Sequence, residues 1–199
     1  DNNLPCIAEK EIVAVDSIAD ELMHYMVSEQ GCYLASKEEQ DALTEVVLKG
    51  GKLNRKCVGR DAKTLLGMIG VQVPDNIRCI TFEGPKEHPL IATELMMPIL
   101  GVVRAKDFDD AVEQAVWLEH GNRHSAHIHS KNVDNITKYA KAIDTAILVK
   151  NGPSYSALGF GGEGFCTFTI ASRTGEGLTS ASTFTKRRRC VMTDSLCIR

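Results

Sequence analysis

Hydrophobic positions along the chain switch between a period of two and a period near 3.6. Lys10 to Val15 is a β-branched run that predicts a strand. Ser17 then reads as an N-cap with Asp20 and Glu21 in the first turn, and Ile18, Ala19, Leu22, Met23 and Met26 recur at helical spacing. Ser36 followed by Glu39 is a capping-box pattern. Leu43, Val46 and Val47 give that second helix one apolar face, and Gly50-Gly51 stops it. A helix from about Asp61, a strand from Arg78 to Phe82 and a strand across Ile99 to Arg104 come next. Asp107 opens a helix with Phe108, Ala111, Val112, Ala115 and Leu118 on one side and Gly121 just past its end. Ser125 to Ser130 predicts a strand, Asn132 caps a helix carrying Val133, Ile136, Tyr139, Ala140 and Ile143, and Ala146 to Val149 predicts another strand.

Strand-then-helix units in succession predict an α/β fold with an open, largely parallel, twisted sheet and flanking helices. Beyond Asn151 the texture changes. Gly152, Gly159, Gly161, Gly162, Gly164, Gly175 and Gly177 punctuate a long irregular stretch of the kind that lines clefts. Lys186 to Thr193 returns to strand character.

Composition narrows the class. With 199 residues, 43% hydrophobic and 25% charged, the chain is an ordinary globular domain rather than a disordered or fibrous one. The net charge of -3 offers no global attraction to nucleic acid or anionic membranes, and no apolar stretch approaches the roughly 20 residues needed to cross a bilayer. Seven cysteines without paired spacing favour a reducing, cytoplasmic compartment. The chain opens Asp1-Asn2-Asn3-Leu4-Pro5-Cys6, with neither an initiator Met nor a signal segment, which reads as a piece of a longer protein.

Several residues carry candidate chemistry. Cys6 lies in a loop just before the first strand, where a thiol held by a rigid scaffold can act as a nucleophile; the alternative is a small buried hydrophobe. Glu94, in Thr93-Glu94-Leu95-Met96-Met97-Pro98, is an acid among apolar neighbours. It needs either a ligand hydroxyl or nearby backbone N–H groups. His127 and His129 share a face of the predicted strand and leave a zinc-binding, non-catalytic assembly domain as an alternative; a cysteine hydrolase pairing Cys6 with His124 is another. Gly159 to Gly164 matches a dinucleotide-binding string, but the strand-like residues after it open no helix to hold a pyrophosphate. The basic run Lys186-Arg187-Arg188-Arg189 reads as a solvated strand or subunit contact.

Asn3-Leu4-Pro5-Cys6-Ile7-Ala8-Glu9-Lys10-Glu11 resembles the nucleophile segment of CoA-acylating aldehyde dehydrogenases, the acetaldehyde and propionaldehyde subgroup of bacterial microcompartments. His88-Pro89 with Thr93 to Leu100 resembles the Glu-x-x-x-Pro block of that superfamily. Asn122 to Ala126, Gly159 to Gly164 and Thr174-Gly175-Glu176-Gly177 followed by Phe184 to Val191 continue the likeness in order along the whole chain.

The resemblance implies the C-terminal, catalytic-domain half of such an enzyme. Residues 1–185 would be the catalytic domain and residues 186–199 an oligomerisation strand. It implies NAD as cofactor, coenzyme A as cosubstrate and a small aliphatic aldehyde as substrate. Cys6 would be the thiolate that attacks the aldehyde, its N–H would donate to the oxyanion, and Glu94 would bond the nicotinamide ribose. A homo-oligomer, cytoplasmic or inside a microcompartment, is implied as well. The dinucleotide-binding domain and the side-chain amide of the oxyanion hole would lie upstream, leaving the isolated chain inactive.

Overall fold

The computed structural model describes residues 2–164, 166–167, 169–171, 177–191 and 193. The elements run β1 (Glu11–Val15), α1 (Asp16–Ser28), β2 (Cys32–Leu34), α2 (Lys37–Val47), β3 (Leu48–Lys49), β4 (Lys52–Leu53), α3 (Ala62–Met68), β5 (Cys79–Glu83), α4 (Pro89–Ala92) and β6 (Ile99–Ala105). They continue with α5 (Phe108–Leu118), β7 (Ser125–Ile128), α6 (Val133–Ile143), β8 (Ile147–Lys150), β9 (Ile170–Ala171) and β10 (Gly177–Leu178).

The central sheet has the order β1-β6-β5-β2, and every pairing in it is parallel. Helices cover both of its faces, as a parallel sheet requires. Side chains alternate across β6. Ile99 and Val103 pack with Leu43, Leu65, Leu66, Phe82, Leu90 and Ile91 beneath α2 to α4, whereas Leu100 and Val102 pack with Ala14, Ala19 and Met26 beneath α1. Gly101 sits directly under α4, where a Cβ would overlap Ile91 and approach Phe82 Cζ at 3.2 Å. β7 and β8 form a second parallel pair, with α5 and α6 packed against β7 through Val112, Ala126, Ile128, Tyr139 and Ile143.

The capping box at Ser36 is present in both directions. Asp107 accepts from the Asp110 N–H, and Asn132 from those of Asp134 and Asn135. Other expectations give way. Ser17 does not cap α1: the helix begins at Asp16 directly from β1, with Val15 at the cap position and no side-chain cap bond. Of the two acids expected to serve the helix dipole, Asp20 and Glu21, the first instead bonds Arg104 at 2.5 Å, joined by Asp16 at 2.9 Å, beside Glu83. Gly50-Gly51 ends α2 not as a cap but as the two-residue turn of the β3–β4 hairpin. Both glycines have positive φ, 61° and 76°, as a primed turn demands. Of the strand expected over Lys186 to Thr193, residues 186–191 are exposed and belong to no strand among the described residues.

Candidate active site

Cys6 and Glu94 are far apart in the sequence but lie at the same end of the central sheet. β1 and β6 are parallel neighbours with Glu11 opposite Gly101, so the segments entering both strands lie together at their N-terminal ends. Cys6 precedes β1 and Glu94 precedes β6.

The Cys6 loop is held from several sides. Asn2 and Asn3 both take left-handed backbone (φ 50° and 60°), a conformation asparagine tolerates better than most residues. The Asn2 side-chain amide donates to Gly59 O at 3.0 Å and to Asp61 Oδ1 at 2.8 Å; that of Asn3 donates to Glu9 O at 2.8 Å. The Ala8 N–H closes a turn on Pro5 O at 3.0 Å, with Cys6 inside it. Ile7 is fully buried against Ile147, Val149 and Leu158, so its neighbour Cys6 is displayed at the surface. The Cys6 backbone N–H has no partner among the described residues.

Glu94 is arranged in a similar way. Leu95 and Met97 are buried anchors, and Met96 between them adopts φ 55°, a strained conformation for a long side chain. The Met96 carbonyl accepts from the Gly59 N–H at 2.9 Å, so the loop that receives Asn2 also fixes the Glu94 segment. The apolar neighbours of Glu94 are buried as its sequence context suggested, but its own side chain is 57% exposed and makes no hydrogen bond among the described residues. Its oxygens remain available to a ligand.

Between the two sits Lys10, which the sequence reading took only as the start of a strand. Its side chain is 17% exposed. The ammonium donates to Asn3 O at 3.2 Å and Pro5 O at 3.4 Å, and lies 3.9 Å from Glu94 Oε1. Burial lowers its pKa, against the attraction of Glu94, Cys6, Glu11 and Glu9. Burial likewise raises Glu11 to about 7, opposed by the charge of Lys10.

Glu9 points the other way. Its carboxylate accepts from the Ser154 N–H at 2.9 Å and lies 3.9 Å from His127 Nε2. That nitrogen is buried without a hydrogen bond among the described residues. Burial, opposed by Glu9 and reinforced by His129, lowers the His127 pKa, so the ring is neutral near pH 7.

The other candidates separate from this centre. His129 lies beyond the end of β7, and among the described residues no group of three metal-ligating side chains comes together. His124 is occupied locally, with Nδ1 3.1 Å from Ser125 Oγ. No helix follows Gly159 to Gly164 among the described residues. The loop folds back on the 3-10 turn Ser154–Leu158, and a Cβ at Gly162 or Gly164 would collide with Ser156 or Ala157. The glycines serve that close approach. Thr174-Gly175-Glu176 lies outside the described residues. A cavity of about 540 Å³ is lined by Glu83 to Glu87, Val103, Arg104 and Gln114, at the C-terminal ends of β5 and β6. It is at the opposite edge of the sheet from Cys6.

Chemically, the N-terminal edge presents a displayed thiol, a backbone N–H on the same residue without a partner among the described residues, a half-buried ammonium and an exposed carboxylate. That set suits attack on a carbonyl carbon with a donor for the developing oxyanion.

No family model matches the chain. It is 46% identical over 201 residues to the acetaldehyde dehydrogenase (acetylating) EutE of Salmonella typhimurium, covering 98% of this chain and 43% of that protein. Among solved structures it is similar to a propionaldehyde dehydrogenase from the fucose utilisation bacterial microcompartment of Clostridium phytofermentans. The identity is 81% and the TM-score 0.94, over 100% of this chain and 46% of that one. A propionaldehyde dehydrogenase of Rhodopseudomonas palustris, solved with bound CoA and an acylated cysteine, matches at 51% identity and a TM-score of 0.91. That match covers 96% of this chain and 44% of the other. The chain therefore spans somewhat under half the length of these relatives.

Proposed function

We propose, for a chain that belongs to the CoA-acylating aldehyde dehydrogenase family, that it supplies the nucleophile and one cofactor contact of an enzyme converting a short aliphatic aldehyde, NAD and CoA to acyl-CoA and NADH. The observation that carries this reading is the Cys6 thiol displayed on an anchored turn, beside the free carboxylate of Glu94.

The Cys6 thiolate adds to the aldehyde carbon, and the carbonyl oxygen takes the negative charge as a thiohemiacetal. The Cys6 N–H donates to that oxygen. NAD, when bound, would accept the hydride of that carbon, leaving the acyl group as a thioester on Cys6. The CoA thiolate then displaces Cys6 and carries the acyl group away. Passing through a thioester retains the free energy that hydrolysis would discard. Glu94 would hold NAD by accepting hydrogen bonds from the ribose hydroxyls beside the nicotinamide. A relative's acylated cysteine and bound CoA support the covalent route.

Residues 1–185 form the catalytic domain in this reading and residues 186–199 a strand completed by a second copy; the exposed, unpaired backbone of residues 186–191 supports the latter. A microcompartment setting rests on the source of a similar structure. In the complete protein, Cys6→Ala should abolish acyl-CoA formation, while Glu94→Gln should raise the KM for NAD and leave alkylation of Cys6 by iodoacetamide unchanged. Retained turnover in the first variant, or an unaltered KM in the second, would remove the residue from its role.

A further inference from the structure

We infer that Lys10 is a positioning residue for carbonyl chemistry at Cys6: its ammonium, bonded to Pro5 O and Asn3 O, fixes the Pro5–Cys6 peptide plane and thereby aims the Cys6 N–H. This rests on the reading of Cys6 as the nucleophile.

The argument begins with peptide geometry. The Pro5 carbonyl and the Cys6 N–H are the two ends of one planar trans amide, and they point in opposite directions. Whatever holds the oxygen therefore holds the N–H. Two donors converge on Pro5 O: the Ala8 N–H at 3.0 Å and the Lys10 ammonium at 3.4 Å. The second bond from the same ammonium, to Asn3 O at 3.2 Å, fixes the chain before the amide as well. A cationic donor on the carbonyl also polarises the amide, making its N–H a stronger donor at the other end.

The placement of the ammonium argues against a simple ion pair. Glu94, its nearest carboxylate, is 3.9 Å away and more than half exposed, and salt bridges of that kind contribute little. The nearest oxygens to Nζ are the two backbone carbonyls. A lysine selected for pairing would extend into solvent. This one is drawn inward at the cost of desolvation, onto the carbonyls that flank the nucleophile.

Two electrophiles separate orientation from thiol reactivity in the complete protein. p-Nitrophenyl acetate acylates a thiol through a tetrahedral oxyanion, whereas iodoacetamide alkylates it by displacement at a saturated carbon and needs no oxyanion donor. Lys10→Met should slow Cys6 acylation about ten-fold more than it slows alkylation, since it loosens an oxyanion donor whose outright loss costs 10²–10³. Lys10→Arg should restore the ratio. Lys10→Gln, which keeps a neutral donor, decides the matter by the same ratio if the Met variant does not fold. Equal slowing of both reactions, or no change in either, would overturn the assignment to Lys10 while leaving Cys6 as nucleophile. If the acetyl group in the unaltered protein sits elsewhere than Cys6, the reading of Cys6 itself falls and this inference with it.

Discussion

Charge around Cys6 is governed by burial more than by pairing. Lys10 and Glu11 are sequence neighbours of opposite sign, yet burial moves each toward its neutral form, lowering the first and raising the second to about 7. The sign for stability follows from proton counts. Glu11 has an ordinary value of 4.5, so between 4.5 and about 7 the folded chain holds a proton that the unfolded chain has lost. Stability from this group therefore falls as pH rises through that window, and its penalty is complete above it. Glu11→Gln should accordingly raise Tm more at about pH 8 than at about pH 5, with a gain of up to about 3 kcal/mol. Urea titrations of both proteins at the two pH values measure it; an equal gain at each would contradict the cause assigned here. The loop setting of Cys6 and the buried neighbours of Glu94 were legible in the sequence. Lys10 was not, since its role depends on carbonyls folded back onto it and on a strand some ninety residues later. Its only trace in the sequence was a charged residue at the mouth of a strand next to the candidate nucleophile.

The helices with a complete capping signature and the longer strands were read correctly, and the shortest strand and the start of α1 were not. The capping box of α2 and the caps of α5 and α6 need only a few consecutive residues. β2 is three residues long, too short to display a period, and exists because Cys32 to Leu34 lie in register with Cys79 to Thr81 of β5. The start of α1 was misjudged for a related reason. Asp16 of its first turn and Asp20 of the next are bound by Arg104 of β6, and the helix follows β1 without a side-chain cap. Gly101 is informative at this scale. Its missing side chain lets α4 settle on β6 and so sets where the Glu94 segment begins. Gly101→Val should destabilise the fold by about 1–3 kcal/mol through overpacking against Ile91, measured by chemical denaturation. It should also weaken NAD binding, because Glu94 shifts with α4. Unchanged stability would mean that α4 is not seated as described.

At the scale of the whole molecule, the candidate residues lie at the N-terminal edge of a parallel sheet with helices on both faces, and a second pair of strands anchors the Cys6 loop through Ile7. The α/β layering was legible because strand and helix periods alternate cleanly. Among the described residues of the strand expected over Lys186 to Thr193, residues 186–191 are unpaired, since a ladder requires a partner that sequence alone does not locate. Truncation after Thr185 should lower the oligomeric state of the complete protein in analytical ultracentrifugation; an unaltered mass would assign assembly to another surface. The most direct test of the central claim is peptide mass spectrometry of the complete protein incubated with propionaldehyde and NAD in the absence of CoA. A propionyl group on the peptide containing Cys6, removed when CoA is added, is the expected result. A propionyl group on any other side chain, or none while NADH forms, would contradict it.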